Sequence, residues 1–201
     1  MPPHRDVAAY DDRAAHYDQG WRGRLHHTIG DRTAALAMAT EAAPQRVLDV
    51  GCGTGYLLRV LAGHYPEAHK LAGIDAAPNM IDTARRLTDD DRLTFALSVA
   101  EHLPYPDASI DLVVSSTSFD HWSDQLAGLA ECARVLRPGG HLVLVDQFCR
   151  WLIPTLAIGR RGKARKRRRA DRLLLRAGFE RTQWHKLHAV IINGVVATKR
   201  G

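Results

Sequence analysis

The chain has 201 residues, of which 45% are hydrophobic and 25% are charged, with 16 glycines, 9 prolines and 3 cysteines. This length and composition predict one globular domain, with or without a small cap, and exclude collagen-like, low-complexity and wholly disordered chains. The formal net charge of +6 arises from one segment, because residues 160–169 hold eight basic side chains and no acidic ones. The remainder is slightly acidic, which argues against nucleic-acid binding over the whole surface.

The cysteines and the apolar runs predict where the protein resides. Three scattered cysteines fit neither a disulfide framework nor a zinc site, and this favours a reducing, cytoplasmic location. The first residues lack the apolar stretch of a secretory signal, and no apolar run approaches the ~20 residues that span a bilayer. We therefore expect a cytoplasmic protein with no membrane span.

The first 43 residues are rich in alanine and predict two helices, over residues 6–18 and 24–40. From residue 46 onward, short apolar runs alternate with amphipathic segments, which is typical of strands that alternate with helices. Helices are predicted over residues 56–65, from Pro78, over 123–136 with Ser123 as the N-cap, and up to Gly178. Strands are predicted over residues 46–50, 70–75, 92–99, 109–116 and 141–148, with two more in 180–199 that turn at Asn193-Gly194.

This alternation predicts an α/β fold. Strands joined by helices of this length form right-handed crossovers, and these give a mostly parallel sheet with helices on both faces. The last two predicted strands are joined by a short turn, so they are expected to form an antiparallel C-terminal hairpin.

A glycine-rich turn, VLDVGCGTG at residues 47–55, follows the first predicted strand. Glycine lets the backbone turn sharply and approach a ligand, and the N–H groups of the next helix point to the same space. Asp75 ends the neighbouring strand, so its carboxylate is expected to face this turn and to accept hydrogen bonds from a ribose diol. The alternative is a purely structural turn with an N-capping aspartate.

The glycine spacing distinguishes between nucleoside ligands. The dinucleotide pattern G-x-G-x-x-G places its third glycine where this chain has Tyr56, after Gly51 and Gly53. A bulky aromatic residue there argues against a pyrophosphate, and therefore against a nicotinamide-dependent oxidoreductase.

Four ordered motifs over residues 44–148 resemble the class I S-adenosylmethionine-dependent methyltransferases, particularly the small-molecule group that includes the ubiquinone and menaquinone biosynthesis enzymes. The resemblance implies a Rossmann-like, seven-stranded fold. It also implies an N-terminal helical lid (residues 1–43) on an S-adenosylmethionine-binding domain (44–201), with a basic lid insertion at about 150–170. The motifs are VLDVGCGTG (47–55), GIDAAPNMIDTAR (73–85), AEHLPYPDASIDLVVS (100–115) and ECARVLRPGGHLVLVD (131–146).

The resemblance implies an S-adenosyl-L-methionine site at the carboxyl ends of the strands. Asp49 would support the ammonium group of the cofactor, Asp75 would bind its ribose, and Tyr17 would belong to the lid, as would Tyr10. Family members commonly have an acidic residue where this chain has Val99, so adenine recognition is left to Glu101, Ser98 or the backbone. The remaining implied contacts are Gly51, Gly53 and Gly55 in the turn, Ala76, Met80, Ala100 and Leu103 around the adenine, and Ser116 beside the sulfonium.

The loop STSFDHWSD, residues 116–124, supplies the first candidate for a base. In the family this loop passes beside the sulfonium, which makes His121 a base or orienting residue with Asp120 as its neighbour. His26 and His27, on the second predicted helix, are the next candidates. The alternatives are an idle, partly solvated His121 and a surface pair at 26–27. No metal site is predicted.

These features predict transfer of a methyl group to an O, N or C nucleophile of a small-molecule acceptor. Trp21, Trp122 and Trp151 would line an aromatic acceptor pocket, unless they are core residues, and the basic segment would attract an acidic acceptor, unless it is a solvated helix face. The alternative functions are cofactor binding without turnover, and methylation of a peptide, lipid-like or nucleic-acid acceptor through the basic segment. Docking of that segment on an anionic membrane surface is a further alternative. Oligomeric state is not predicted.

Overall fold

The computed structural model describes residues 7–149, 166–189 and 191–201. Its helices are α1 (Val7–Asp11), α2 (Gly20–Thr40), α3 (Tyr56–His64), α4 (Pro78–Arg86), α5 (Gln125–Val135) and α6 (Arg167–Arg176), with 3-10 turns at Ala14–His16 and Phe119–His121. Its strands are β1 (Arg46–Val50), β2 (Lys70–Asp75), β3 (Leu93–Leu97), β4 (Ile110–Ser116), β5 (Leu136–Asp146), β6 (Phe179–His188) and β7 (Ile192–Lys199).

The seven strands form one sheet in the order β3-β2-β1-β4-β5-β7-β6. Neighbouring pairs among β1 to β5 are parallel, whereas β7 is antiparallel to both β5 and β6. The predicted α/β fold with a mostly parallel sheet and an antiparallel C-terminal hairpin is confirmed. The glycine turn after β1 therefore lies at the carboxyl edge of the sheet, between β2 and β4.

Apolar side chains on both faces of the sheet hold the helices in place. On one face, α2, α3 and α4 share a core with the central strands, and α2 contributes Ile29, Ala34 and Ala37 to it. On the other face, α5 and α6 pack over a second core that includes Leu129 and Leu174. β1 has four successive buried positions, of which Val47, Leu48 and Val50 are apolar and lie on both faces, as expected of a central parallel strand.

The predicted turn at Asn193-Gly194 is wrong. The chain reverses between His188 and Ile192, and both predicted turn residues lie inside β7, paired with Asp146 and Val145 of β5. Gly194 is required there because a Cβ would lie 2.9 Å from Leu187 and from Leu36. The Asn-Gly pair thus meets a packing requirement and not a turn requirement.

Two predicted helix starts also differ from the structure. Asp124, and not Ser123, caps α5, because its carboxylate accepts hydrogen bonds from the N–H groups of Leu126 and Ala127. The predicted first helix, over residues 6–18, is instead the short α1 followed by a 3-10 turn. This leaves residues 7–18 as a folded-back segment against α4, where Asp11 accepts a hydrogen bond from the N–H of Asn79.

Candidate active site

The glycine turn is fastened to the end of β2 by three hydrogen bonds that its backbone N–H groups donate. Gly51 and Cys52 donate to the carbonyl of Ile74 at 2.8 and 2.9 Å, and Gly53 donates to Asp75 Oδ2 at 2.9 Å. Gly51 has φ +80°, and a Cβ on it would lie 2.4 Å from Ser118 Cβ. A Cβ on Gly53 would meet no atom within 4 Å. Gly53 therefore leaves room for a ligand, whereas Gly51 makes room for the chain itself.

The first cavity opens along the carboxyl ends of β1, β2 and β4. Asp75, Ala76 and Met80 form one part of its wall, and Tyr10, Tyr17 and His121 form another. Tyr10 and Tyr17 also pack against the buried cluster that includes Met80, and Trp122 is buried as well, so much of the wall is apolar. The other wall residues are Val7, Val50, Gly51, Gly53, Ile74, Ala77, Ser98, Val99, Ala100, Ser116, Thr117, Ser118 and Trp122.

A second cavity adjoins the first at the glycine turn. The two share Tyr17, Gly51, Gly53, Ser116 and Thr117, so one ligand can extend through both. The second is more polar, because α2 and α3 supply side chains with hydrogen-bonding groups. Its other wall residues are Asp18, His26, His27, Gly30, Asp49, Cys52, Thr54, Tyr56 and Leu57.

Asp49, at the wall of the second cavity, carries a carboxylate oxygen that lacks a partner. The residue is 2% exposed, and its Oδ1 atom has no hydrogen bond in the described part of the chain. Burial, together with the nearby negative charge of Asp75, raises the pKa of Asp49 to about 8. A buried oxygen of this kind costs free energy unless a donor or cation reaches it, so Asp49 is suited to a positively charged group of a ligand.

Asp75 is held in place by the backbone on both sides. Its Oδ2 accepts from Gly53 N–H, and its Oδ1 accepts from Ala77 N–H at 2.9 Å. Asp75 also lines the first cavity, where a carboxylate can accept a hydrogen bond from a hydroxyl of a ligand. The carboxylate is thus oriented before any ligand arrives.

His121 and Tyr10 are in direct contact at the wall of the first cavity. The Tyr10 hydroxyl and His121 Nε2 are 2.9 Å apart, and the two rings meet edge to face at 5.1 Å. The 3-10 turn that carries His121 is tied to β5, because Asp120 N–H donates to Asp146 Oδ2 at 3.0 Å. Burial raises the pKa of Asp146 to about 6, although the N–H groups of Gln147 and Asp120 oppose this shift.

Most of the residues proposed from sequence line these cavities. Of the cofactor set, Tyr17, Asp49, Gly51, Gly53, Asp75, Ala76, Met80, Ala100 and Ser116 do so. His121 lies in the first cavity and His26 in the second, so the structure does not bring these two candidate bases together.

Four of the proposed residues line neither cavity and have other contacts. Glu101 accepts from Asp124 N–H at the start of α5, and Leu103 is buried in the core beside α5. Asp120 contributes its backbone, and a Cβ on Gly55 would lie 2.8 Å from Phe95. The cofactor contacts proposed for Gly55, Glu101 and Leu103, and the catalytic role proposed for Asp120, stay predictions.

The three proposed acceptor tryptophans have different positions. Trp122 lines the first cavity. Trp21 is 64% exposed on α2, which agrees neither with an acceptor wall nor with a core position. Trp151 and most of the basic segment lie outside the described residues. Of that segment, the structure describes only Lys166 and the first turn of α6.

Sequence reasoning missed Thr117 and Ser118, which line the first cavity just after β4. Thr117 has φ +55°, and Ser118 donates to the Val50 carbonyl at 2.8 Å and pairs with Ser115. Neither conformation leaves a sequence signal, because threonine rarely adopts a positive φ.

Within the described residues, no group of histidine, cysteine and acidic side chains is arranged to hold a metal ion. No helix there combines the length and hydrophobicity that crossing a bilayer demands.

Comparison with known proteins shows a similarity to methyltransferases. A family model described as a methyltransferase domain matches residues 48–144, which include the glycine turn, Asp75 and the loop before α5. Residues 48–144 are thus similar to a methyltransferase domain, and the fold of the chain is that of S-adenosylmethionine-dependent methyltransferases of known structure.

Among curated proteins, a demethylmenaquinone methyltransferase of Deinococcus radiodurans is 40% identical over 131 residues, which are 64% of this chain and 50% of that protein. A 27-O-demethylrifamycin SV methyltransferase of Amycolatopsis mediterranei is 35% identical over 162 residues, covering 72% of this chain and 58% of that protein. The chain thus spans about half the length of these curated relatives.

Solved structures show the same fold at low sequence identity. A chain in the complex between the Haloferax volcanii Trm112 methyltransferase activator and a methyltransferase has a TM-score of 0.81 and 22% identity, covering 96% of this chain and 98% of that one. An Aquifex aeolicus SAM-dependent methyltransferase has a TM-score of 0.73 and 21% identity, covering 94% and 98%.

Proposed function

We propose that this protein transfers a methyl group from S-adenosylmethionine to an O, N or C nucleophile of a small-molecule acceptor. The observation that carries this proposal is the unpartnered Asp49 oxygen next to a glycine turn and an oriented Asp75. The ammonium group of the cofactor fits the Asp49 oxygen, and its ribose fits the Asp75 carboxylate. When bound, the cofactor supplies a methyl group that is activated by a positively charged sulfur.

The chain's own residues position the reactants. Asp75 fixes the ribose, and the apolar surfaces of Ala76 and Met80 enclose the adenine side of the first cavity. Orientation of this kind supplies a large part of the rate enhancement in a displacement that needs a linear approach, roughly 7–11 kcal/mol. Excluding water with the Tyr10 and Tyr17 rings strengthens each polar contact inside.

His121 is proposed as the base that accepts the proton of the acceptor. Its ring lines the first cavity, and the bond from Asp120 N–H to Asp146 holds its turn against β5. Because the Tyr10 hydroxyl contacts Nε2, an acceptor displaces Tyr10 or sits beside it. Asp120 and His26 also remain candidates for catalysis, although neither lines the first cavity.

An aromatic or acidic acceptor agrees with the charges and rings at this edge of the sheet. Tyr10, Tyr17 and Trp122 provide flat walls. Arg167 begins α6 and donates to Asn193, which pairs with Asp146 at the end of β5, so basic side chains stand close to the same edge. Arg167, Arg168 and Arg169 oppose the dipole of the helix they begin, which favours a role in attracting an anion over a role in helix stability.

The lid is proposed to be the part of residues 1–43 that covers the cavities. Residues 7–18 carry Tyr10 and Tyr17 over the first cavity, whereas α2 is anchored in the core by Ile29, Ala34 and Ala37. The basic lid insertion at about 150–170 is also part of this proposal, and only residues 166–170 of it belong to the described chain.

The test has two stages. Calorimetry with S-adenosylmethionine and S-adenosylhomocysteine should show binding of both, and absence of heat or thermal shift with either would overturn the proposal. Transfer of labelled methyl should then be assayed on acceptors chosen from those named for the relatives, namely demethylmenaquinone, 27-O-demethylrifamycin SV and a malonyl carrier protein. Binding without product on a wide panel would favour a cofactor-binding protein that lacks turnover.

A further inference from the structure

The second cavity has two walls of opposite chemical character. On the β1 side lie Asp49, with its unpartnered oxygen, and the buried thiol of Cys52. Hydrogen-bond donors are carried by His26 and His27 on α2, by Tyr56 at the start of α3, and by Thr54 in the glycine turn just before α3. The first wall is suited to a cation and the second to an anion, so the cavity as a whole fits a zwitterion.

Two of the four donors are already engaged by carboxylates of the protein. His27 Nε2 is 3.0 Å from Asp18 Oδ1, and its ring stacks on Tyr56 at 3.8 Å. The Tyr56 hydroxyl donates to Asp31 Oδ1 at 2.8 Å. Thr54 is 2% exposed, so its hydroxyl has little access to the cavity. His26 is the donor that stays available.

Contact with Tyr17 determines which nitrogen of His26 carries the proton. The Tyr17 hydroxyl lies 3.4 Å from His26 Nδ1, and the two rings are 4.8 Å apart. Burial raises the pKa of Tyr17, so the hydroxyl stays protonated and donates to Nδ1. Burial lowers the pKa of His26, which favours the neutral imidazole, and its proton is then on Nε2, the ring nitrogen that Tyr17 does not contact.

We propose that His26, oriented by Tyr17, donates from Nε2 to the α-carboxylate of S-adenosylmethionine, while Asp49 receives its ammonium group. This inference rests on the proposed function and assigns His26 to the amino-acid end of the cofactor, away from the acceptor. The position agrees with the cavities, because His26 does not line the first cavity and His121 does not line the second. One histidine thus recognises the cofactor, and the other serves the acceptor.

The decisive probe is decarboxylated S-adenosylmethionine, which keeps the sulfonium and the ammonium and lacks only the carboxylate. Calorimetry on the wild-type chain should show that S-adenosylmethionine binds more tightly than this analogue. In His26→Phe, which keeps a ring beside Tyr17, we expect affinity for S-adenosylmethionine to fall roughly tenfold to a hundredfold, as for loss of a hydrogen bond to a charged group. Affinity for the decarboxylated analogue should stay within about twofold, on the same reasoning.

Further variants keep the test independent of folding. His64→Phe makes the same change at an exposed position at the end of α3 and should alter neither affinity. His26→Gln retains an N–H group and should keep part of the preference for the carboxylate. If His26→Phe does not fold, His26→Gln and Tyr17→Phe decide instead. The proposal is overturned if both variants keep the full wild-type preference for S-adenosylmethionine over the decarboxylated analogue.

Each outcome separates this inference from the proposed function. An equal loss for both ligands in His26→Phe, or no loss for either, overturns the carboxylate assignment and leaves cofactor binding in place. Absence of binding by the wild-type chain to S-adenosylmethionine, S-adenosylhomocysteine and the analogue overturns the proposed function, and this inference with it. Selective loss of S-adenosylmethionine supports both.

Discussion

Gly53 and Asp75 are 22 positions apart in the chain, and the N–H group of the former donates to Oδ2 of the latter at 2.9 Å. This bond joins the glycine turn after β1 to the end of β2. The same carboxylate caps the turn into α4 through Ala77 N–H. Asp75 therefore shapes the site as well as contacting the ligand.

Asp75→Ala is expected to weaken S-adenosylhomocysteine binding by roughly tenfold to a hundredfold, because it removes hydrogen bonds from a charged acceptor. It should also lower the free energy of unfolding by about 1–3 kcal/mol, since two backbone N–H groups lose their partner. Calorimetry and urea unfolding measure the two effects. Asp82→Ala, at an exposed position on α4, is the control, and equal affinities in the two variants would show that the ribose lies elsewhere.

Gly51→Ala and Gly53→Ala are expected to separate folding from binding. A Cβ on Gly51 would displace Ser118 from its bond to the Val50 carbonyl, so we expect a loss of about 2 kcal/mol or more in unfolding free energy. A Cβ on Gly53 meets open space, so the cost there is mainly the left-handed φ, about 1–2 kcal/mol. Gly53→Ala should still lose affinity for the cofactor, and full affinity would contradict the assignment of this space to a ligand.

Asp49→Asn is expected to stabilise the ligand-free protein, increasingly so at higher pH. The pKa of Asp49 is raised in the folded state to about 8, against an ordinary value of 3.8, so the folded state favours the protonated form. As pH rises from about 4 to 8, the ionised carboxylate becomes more costly in the folded than in the unfolded state, and stability falls. The difference in melting temperature between variant and wild type should therefore grow from pH 6 to pH 8.5.

The same carboxylate predicts proton release when the cofactor binds. A nearby ammonium group lowers the pKa of Asp49, so at pH 7 the wild-type chain should release a proton on binding. Calorimetry in two buffers of different ionisation enthalpy detects this release. Asp49→Asn should bind the cofactor more weakly and without releasing a proton. An identical buffer dependence in the variant would place the ammonium group away from Asp49.

His121→Ala is expected to lower kcat by about 100-fold or more, with little effect on cofactor affinity, if the ring acts as a base. Tyr10→Phe removes the hydroxyl at 2.9 Å while keeping the ring, so turnover should change only a few-fold. Single-turnover kinetics with an identified acceptor, together with calorimetry, measure both quantities. An unchanged rate in His121→Ala would leave this histidine without a catalytic role.

The sequence by itself determined the parallel sheet, the glycine turn and the position of Asp75. These features depend on local patterns, since apolar runs form buried strands and glycines permit the turn that follows them. The resemblance carried by residues 44–148 adds the cofactor, because its motifs occupy the strand ends. The same motif implies a role for Asp49 at the cofactor, but the sequence does not show that one oxygen of its carboxylate lacks a partner.

Only the tertiary structure decided how distant side chains meet. Tyr10 and His121 are 111 positions apart, and no local pattern predicts their contact. The separation of His26 from His121 into two cavities likewise depends on how α2 packs on the sheet. The Asn193-Gly194 pair shows the limit most clearly, because its turn signal was overridden by the close approach of Leu36 and Leu187, which a Cβ would prevent.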